Sequence, residues 1–283
     1  MDTPGRVALV TGGGRGLGRV MAHALLAAGH SVVISSTDAA SLAETIEAAG
    51  AGPDRARMIV AELGLRGEPE RLAQEAESAF GRVDILVNNA GMSVNNIRTD
   101  YLRKPYRFWE STREQMERFF QVNTISAMLL AALLAPRMVE RGWGRIIANT
   151  TSLDTMLRFS LYGGSKAALE AETAVMSSDL TGTGVTANVL VPGGGAGSRM
   201  TDMLGIPRDL VLPPEIMAPP IVFLASDGAN SFTGRRIIAR RWDTKLPPLA
   251  AAEAASDPIA WTGYGTQGHQ PEVARVPPAP GRS

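Results

Sequence analysis

The feature that most constrains this chain is Thr11-Gly12-Gly13-Gly14-Arg15-Gly16-Leu17-Gly18. It follows an apolar run, Val7 to Val10, and opens a segment with helical apolar spacing through Leu17, Val20, Met21, Ala24 and Leu25. A strand that turns on glycines into a helix makes a cradle for phosphate, because backbone N–H groups and the positive end of the helix dipole converge there. Gly12 permits the tight turn, Gly16 lets backbone approach a pyrophosphate, and Gly18 allows helix and strand to pack closely. A nucleotide-triphosphate loop is excluded, since Arg19 and Val20 stand after the last glycine where Lys and Ser or Thr are required. The spacing predicts a dinucleotide site at Gly12, Gly14, Arg15, Gly16, Leu17 and Gly18.

The end of the second apolar run bears on which dinucleotide is held. An acid at that strand end would bind a ribose 2′-hydroxyl and repel a 2′-phosphate. Ser36 and Thr37 stand there instead, and Arg15 supplies a cation, so NADP(H) is favoured modestly over NAD(H). Asp38 follows, directly before Ala39 to Ala48, where it would cap a helix; if it reached the ribose instead, NAD(H) would be favoured.

Apolar, β-branched runs recur at Val7 to Val10, Ser31 to Ile34, Arg57 to Ala61, Val83 to Val87, Arg145 to Ala148, Val185 to Val191 and Arg236 to Ala239. Segments of helical period separate most of them. Alternation of this kind predicts an α/β fold: a doubly wound sheet of seven parallel strands, buried on both faces, in one domain over residues 1–243. Ser111-Thr112-Arg113-Glu114 reads as a capping box opening a long helix that ends near Gly142, and a second long helix is predicted from Tyr162 to Leu180. Residues 244–283 are rich in Pro and Ala and carry no strand pattern, which predicts a tail that is ordered in part at most.

Composition removes several kinds of chemistry. Lys plus Arg and Asp plus Glu both total 28, so no net field draws the chain to nucleic acid or an anionic membrane. There is no cysteine, hence no thiolate nucleophile and no Cys-based metal site. The three histidines, His23, His30 and His269, show no metal-ligand spacing and are poorly placed for a serine triad, so no metal site is expected. The N-terminus has no signal-peptide pattern, and a cytoplasmic location is expected.

Acid/base work must then fall to another residue type. Tyr162 and Lys166 are four apart, so on a helix they share a face. A free tyrosine has a pKa of about 10, and a nearby ammonium favours its phenolate, which makes the pair a tunable acid/base.

The Thr11–Gly18 turn, Asn88-Asn89-Ala90-Gly91 after the fourth strand, and Tyr162-Gly163-Gly164-Ser165-Lys166 occur in an order that resembles the short-chain dehydrogenase/reductase family over roughly residues 5–243. The resemblance implies a Rossmann-fold oxidoreductase that moves hydride between NAD(P)(H) and a small carbonyl or secondary alcohol. It implies that Tyr162 exchanges the proton, that Lys166 holds the cofactor ribose, and that Asn123 positions a relay water. It also implies that Thr11 and Asn89 stitch the first turn to the fourth strand, that Asn88, Asn89, Ala90 and Gly91 line the adenosine-ribose side, and that Pro192 and Gly193 cover the nicotinamide. A homodimer or homotetramer built through the two long helices is expected. The alternatives are a cofactor-binding sensor or scaffold without turnover, and an isomerase or dehydratase on the same scaffold.

Three stretches depart from the family pattern. Ser152 matches the substrate-binding serine but stands ten positions before Tyr162, closer than is usual, so either Ser152 keeps its place or Thr151 supplies the hydroxyl. Glu62, with Leu63, stands where an aspartate commonly meets the adenine. The loop Gly193-Gly194-Gly195-Ala196-Gly197 brings Ser198 one position late for the usual threonine. Between Gly91 and Asn123 a long segment interleaves Tyr101, Tyr106, Phe108 and Trp109 with Arg98, Arg103, Lys104 and Arg107. It reads either as a roof suited to an anionic or amphipathic substrate or as a packed surface loop.

Overall fold

Strands covered on both faces are buried at every position and mostly apolar, and the first and sixth runs fit that pattern, with Thr11, Thr186 and Asn188 as their buried polar members. Val7–Thr11 (β1) and Val185–Val191 (β6) are buried at every position. In this computed structural model, which describes residues 5–101, 104–197, 209 and 211–260, the elements alternate strand and helix as predicted. They run β1, α1 (Gly16–Ala27), β2 (Ser31–Ser36), α2 (Ala39–Ala49), β3 (Ala56–Val60), α3 (Glu68–Phe80), β4 (Ile85–Asn88), α4 (Arg113–Phe120) and α5 (Ser126–Glu140). Then follow β5 (Gly144–Asn149), α6 (Leu153–Met156), α7 (Tyr162–Asp179), β6, α8 (Ala218–Leu224), β7 (Arg235–Ile238), α9 (Pro248–Ala254) and β8 (Ser256–Pro258).

The sheet order is β3-β2-β1-β4-β5-β6-β7-β8. Val10 pairs with Ile34 on one side and Val87 on the other, so the order reverses between β1 and β4. A cleft opens at the carboxyl ends of the strands at such a switch point. Met21, Leu25, Leu42, Ile221 and Leu224 cover one face of the sheet, and Leu72, Leu130, Leu134 and Met138 cover the other.

The seven expected parallel strands are present, and the structure adds to them beyond the expected boundary. An eighth strand joins β7 antiparallel, pairing Ile237 with Ser256 and Arg235 with Pro258, so the expected domain end at residue 243 falls inside the fold. Ser-Asp-Pro has no apolar alternation to announce it. It is held by Arg235, whose Nη2 donates to the Ser256 hydroxyl (3.0 Å) and carbonyl (3.2 Å), and by burial of Ala251, Ala252 and Ala255. Residues 261–283 of the expected tail lie outside the described residues.

Two other boundaries move for local reasons. β4 begins at Ile85, and Asp84 just before it is tied to the sheet by its backbone, its N–H donating to the Val7 carbonyl at 2.8 Å, and by its carboxylate, which accepts the Val7 N–H at 3.0 Å. The capping box of α4 is Thr112 with Gln115, one position later than Ser111 with Glu114. Gln115 is the residue that also accepts the Tyr106 hydroxyl (2.7 Å). A turn of π-helix, Gln121–Ile125, separates α4 from α5; such turns insert one extra residue into a helix and recur at functional sites.

Candidate active site

The glycine turn is held from below by side chains. Gly12 takes a positive φ of 66°, open to glycine at little cost. Gly18 lies so close to the Gly12 carbonyl and the Asn89 amide that any β-carbon would collide with both. Arg19, whose presence ruled out a triphosphate loop, donates from Nη2 to the Gly14 carbonyl at 2.7 Å, and the Thr45 hydroxyl donates to the same oxygen at 3.0 Å.

Thr11 and Asn89 form the predicted stitch. The Thr11 hydroxyl accepts the N–H groups of Asn89 and Ala90, both at 3.0 Å, while Asn89 Nδ2 donates to the Thr11 carbonyl at 2.9 Å. Asn149 extends it to β5, its Nδ2 donating to Asn89 Oδ1 at 2.8 Å. Asn88 does not join this wall: its Nδ2 donates to the Ala127 carbonyl on α5, and it is absent from the cleft lining.

A cleft of about 700 Å³ runs from this turn to the start of α7. Gly12, Gly14, Arg15, Gly16, Leu17, Gly18, Ser36, Thr37, Glu62, Leu63, Asn89, Ala90, Gly91, Tyr162, Lys166 and Pro192 all line it. Gly193 is the exception. With φ at 91° it faces Ile238 and Arg240, and Gly194, Gly195 and Ala196 line the cleft in its place. Ser198 lies outside the described residues. Asp38 is a cap, its carboxylate accepting the N–H groups of Ala40 and Ser41, and it does not line the cleft.

At the far end, α7 starts on Tyr162 and carries Lys166 one turn later on the same face. Lys166 is buried, and its Nζ donates to the Asn149 carbonyl at 2.9 Å. Loss of hydration lowers its pKa to about 8. Gly91 packs close to it: a β-carbon there would stand 3.2 Å from Lys166 Nζ and 3.1 Å from Asn123 Oδ1, a tight fit that either side chain would have to relieve.

Asn123 sits in the π turn and is fully buried. Its Oδ1 accepts the Met92 N–H at 2.7 Å, and its Nδ2 donates to the Met92 carbonyl (3.0 Å) and the Ser165 hydroxyl (2.9 Å). Its side chain therefore ties the 91–93 loop to α7, where the resemblance implied the holding of a water.

Burial raises the pKa of Tyr162; a hydrogen bond with Thr151 holds it back in part, and the Tyr101 phenol adds a smaller upward push. The lowering expected from Lys166 is not found: desolvation is the largest influence on Tyr162, and the ammonium is engaged with Asn149.

The shortened stretch before Tyr162 has two consequences. Leu161 takes φ 60° and ψ −56°, and Tyr162 N donates to the Ser160 carbonyl at 2.7 Å, a tight three-residue turn that L-residues seldom adopt. Ser152 is corrected as the substrate-facing hydroxyl. Its Oγ accepts the Thr155 N–H (3.2 Å) as the cap of α6 and contacts Thr155 Oγ1 (2.7 Å), and it does not line the cleft. Thr151, the other candidate, lines the cleft and meets Tyr162.

Sequence reasoning missed what supports Thr151. Glu170 and Arg236 form a buried ion pair, 2.9 Å from Nε to Oε1. The Thr150 hydroxyl donates to Glu170 Oε2 at 2.7 Å, and Arg236 Nη2 donates to the Thr151 carbonyl. The available signal was an acid two turns after Tyr162 on its own helix face and an arginine inside an apolar strand run.

The 91–123 segment contributes Tyr101 to the cleft, and one cation, Arg118, which stands 4.0 Å from Glu62. Arg98 pairs with Glu110 (3.2 Å), Lys104 pairs with Asp100 (3.6 Å), and neither they nor Arg107 line the cleft. Phe108 and Trp109 are exposed and pack on each other. Arg103 lies outside the described residues.

The family model for short chain dehydrogenase matches residues 6–205. A short-chain type dehydrogenase/reductase from Picea abies is 35% identical over 247 residues, covering 79% of this chain and 86% of the relative. An NADPH-dependent aldehyde reductase-like chloroplastic protein from Arabidopsis thaliana is 33% identical over 257 residues, covering 82% of this chain and 92% of the relative. Among solved structures, a 3-oxoacyl (acyl-carrier-protein) reductase from Agrobacterium tumefaciens C58 with NADP bound superposes with a TM-score of 0.71 at 26% identity, covering 81% of this chain and 90% of that one. With its glycine turn, its Tyr162–Lys166 pair and these matches, the chain belongs to the short-chain dehydrogenase/reductase family and is an NAD(P)-dependent oxidoreductase.

Proposed function

We propose that the chain reduces a small, neutral carbonyl compound to a secondary alcohol with NADPH, Tyr162 delivering the proton to the carbonyl oxygen. The observation that carries this reading is the meeting of Tyr162, Lys166 and Thr151 at one end of a cleft whose other end is the glycine turn. The cradle fits a dinucleotide: Gly12, Gly14, Gly16 and Gly18 line the cleft at the start of α1, with no side chains to keep a pyrophosphate from the backbone N–H groups. When bound, the nicotinamide supplies the hydride.

The protein's own groups do the rest. Thr151 orients the Tyr162 phenol and the substrate oxygen. The raised pKa of Tyr162 keeps the phenol protonated near neutrality, which is the form a proton donor needs in reduction. Lys166, fixed on Asn149, lines the cleft with Tyr162; its ammonium would stabilise the phenolate left after transfer and would hold the cofactor ribose. The direct test is a panel of ketones, aldehydes and secondary alcohols followed by nicotinamide absorbance; absence of turnover with every member overturns the reading.

A pH profile follows from Lys166. Its ammonium is present below its pKa of about 8 and is lost as pH rises through that value. The kcat/KM for reduction should therefore be level between about pH 6 and 7 and fall by about tenfold per unit well above pH 8. Lys166→Arg, whose charge does not titrate in that range, should remove the alkaline limb even if activity is low. An unchanged limb in that variant contradicts the assignment.

The NADP(H) preference rests on Asp38 being used as a cap and on Arg15, which has no ion-pair partner among the described residues. Arg15→Ala should weaken NADPH binding by about tenfold or more, the worth of a charge-assisted contact to phosphate, and leave NADH within about twofold. Fluorescence titration with both cofactors reads this; equal losses for the two refute a 2′-phosphate contact.

A further inference from the structure

We propose that Tyr101 is a second substrate-binding phenol, hydrogen-bonding an oxygen beside the reacting carbonyl, so that the preferred substrates are neutral ketones bearing a hydroxyl or second carbonyl one or two carbons away. The proposal deepens, and rests on, the reading of the site as a carbonyl reductase.

Tyr101 is buried, with 8% of its surface exposed, and it lines the same cleft as Tyr162. Its ring packs edge-on against Phe159 at 5.4 Å and 89°. Phe159 belongs to the tight segment that delivers Tyr162, its carbonyl accepting the Gly163 N–H at 2.7 Å. The two phenols are thus mounted on one support. Tyr101 also acts electrostatically on Tyr162, which puts them within range of each other.

What the Tyr101 hydroxyl does is left open by the fold. The neighbouring Tyr106 spends its hydroxyl on Gln115, whereas Tyr101 makes no hydrogen bond to any described residue. Burial raises its pKa, so it remains a neutral donor. A donor without a protein partner, facing a cleft, suits an acceptor oxygen on the ligand.

The surroundings fix the rest of the class. The cleft-lining side chains of the 92–96 loop and of residues 151–159 are all neutral. Of the cations in the cleft, Arg118 stands beside Glu62 (4.0 Å), and Lys166 donates to Asn149 and serves the phenolate and the ribose. A carboxylate or phosphate on the substrate would be buried there without a partner, at high cost. Two oxygens on a short neutral skeleton satisfy both phenols.

The test compares wild type with Tyr101→Phe, which keeps the ring packing and removes only the hydroxyl. Two isosteric pairs serve as substrates with NADPH: hydroxyacetone against butan-2-one, and 4-hydroxybutan-2-one against pentan-2-one. Wild type should favour the hydroxyketone in at least one pair. In Tyr101→Phe, kcat/KM for that hydroxyketone should fall by about tenfold while its alkyl partner stays within about twofold. Equal losses within each pair, or no loss, overturn the role of Tyr101 and leave carbonyl reduction standing. Failure of wild type to reduce any of the four overturns both.

Discussion

Tyr162→Phe lowers carbonyl turnover by about 10²–10⁴-fold, the usual worth of a positioned acid or base, and leaves NADPH affinity within about threefold. The phenyl ring keeps the start of α7 packed but has no proton to give. The Lys166 ammonium stays on Asn149, so the cofactor side of the cleft is unchanged. Absorbance assays read the first effect and fluorescence titration the second. Turnover that survives the substitution would move the proton donor elsewhere; wild type that binds NADPH yet turns over no carbonyl would favour a sensor. The neighbouring hydroxyl is separable in the same assay. Thr151→Val should cost about tenfold or more in kcat, whereas Ser152→Ala, which removes a cap, should cost about 1 kcal/mol of stability and little activity. The reverse ranking would return the role to Ser152.

Arg236→Met should be the most destabilising single change at the site. It leaves the Glu170 carboxylate buried without its cation, a loss of about 3–5 kcal/mol. For a domain of this size that lowers Tm by on the order of 10 °C. Adding Glu170→Leu should recover much of the loss, because an apolar pair of similar volume no longer strands a charge. Turnover should not recover with it, since the Thr150 hydroxyl and the Thr151 carbonyl have lost their partners. Calorimetry of the single and double variants with kcat measured alongside separates the two roles. A single variant melting within about 2 °C of wild type contradicts the buried pair, and a double variant with full kcat contradicts its hold on Thr151.

The parts of the fold legible in the sequence were those with a pattern set by burial. β1, β2 and β6 carry apolar runs because helices cover both faces, and the glycine turn is spaced for a phosphate cradle. β8 was not legible, because three residues held by an arginine and by packed alanines leave no period to read. Tyr162, Lys166 and the Thr11–Asn89 stitch were legible because helical spacing and motif order fix them. Thr151 against Ser152 was not, because the choice depends on how a shortened loop closes, and closure through Leu161 and α6 commits the serine to a cap. The Glu170–Arg236 pair joins residues 66 apart along the chain, a distance at which no local pattern operates.

The antiparallel strand β8 matters for solubility. Without it, β7 would show a row of unpaired N–H and C=O groups to solvent, a template for pairing with another molecule. β8 covers that row and ends the sheet with Asp257 and Pro258, a charge and a residue that cannot donate, both poor partners for a further strand. A chain cut after residue 243 would keep its cleft residues and still be prone to aggregate.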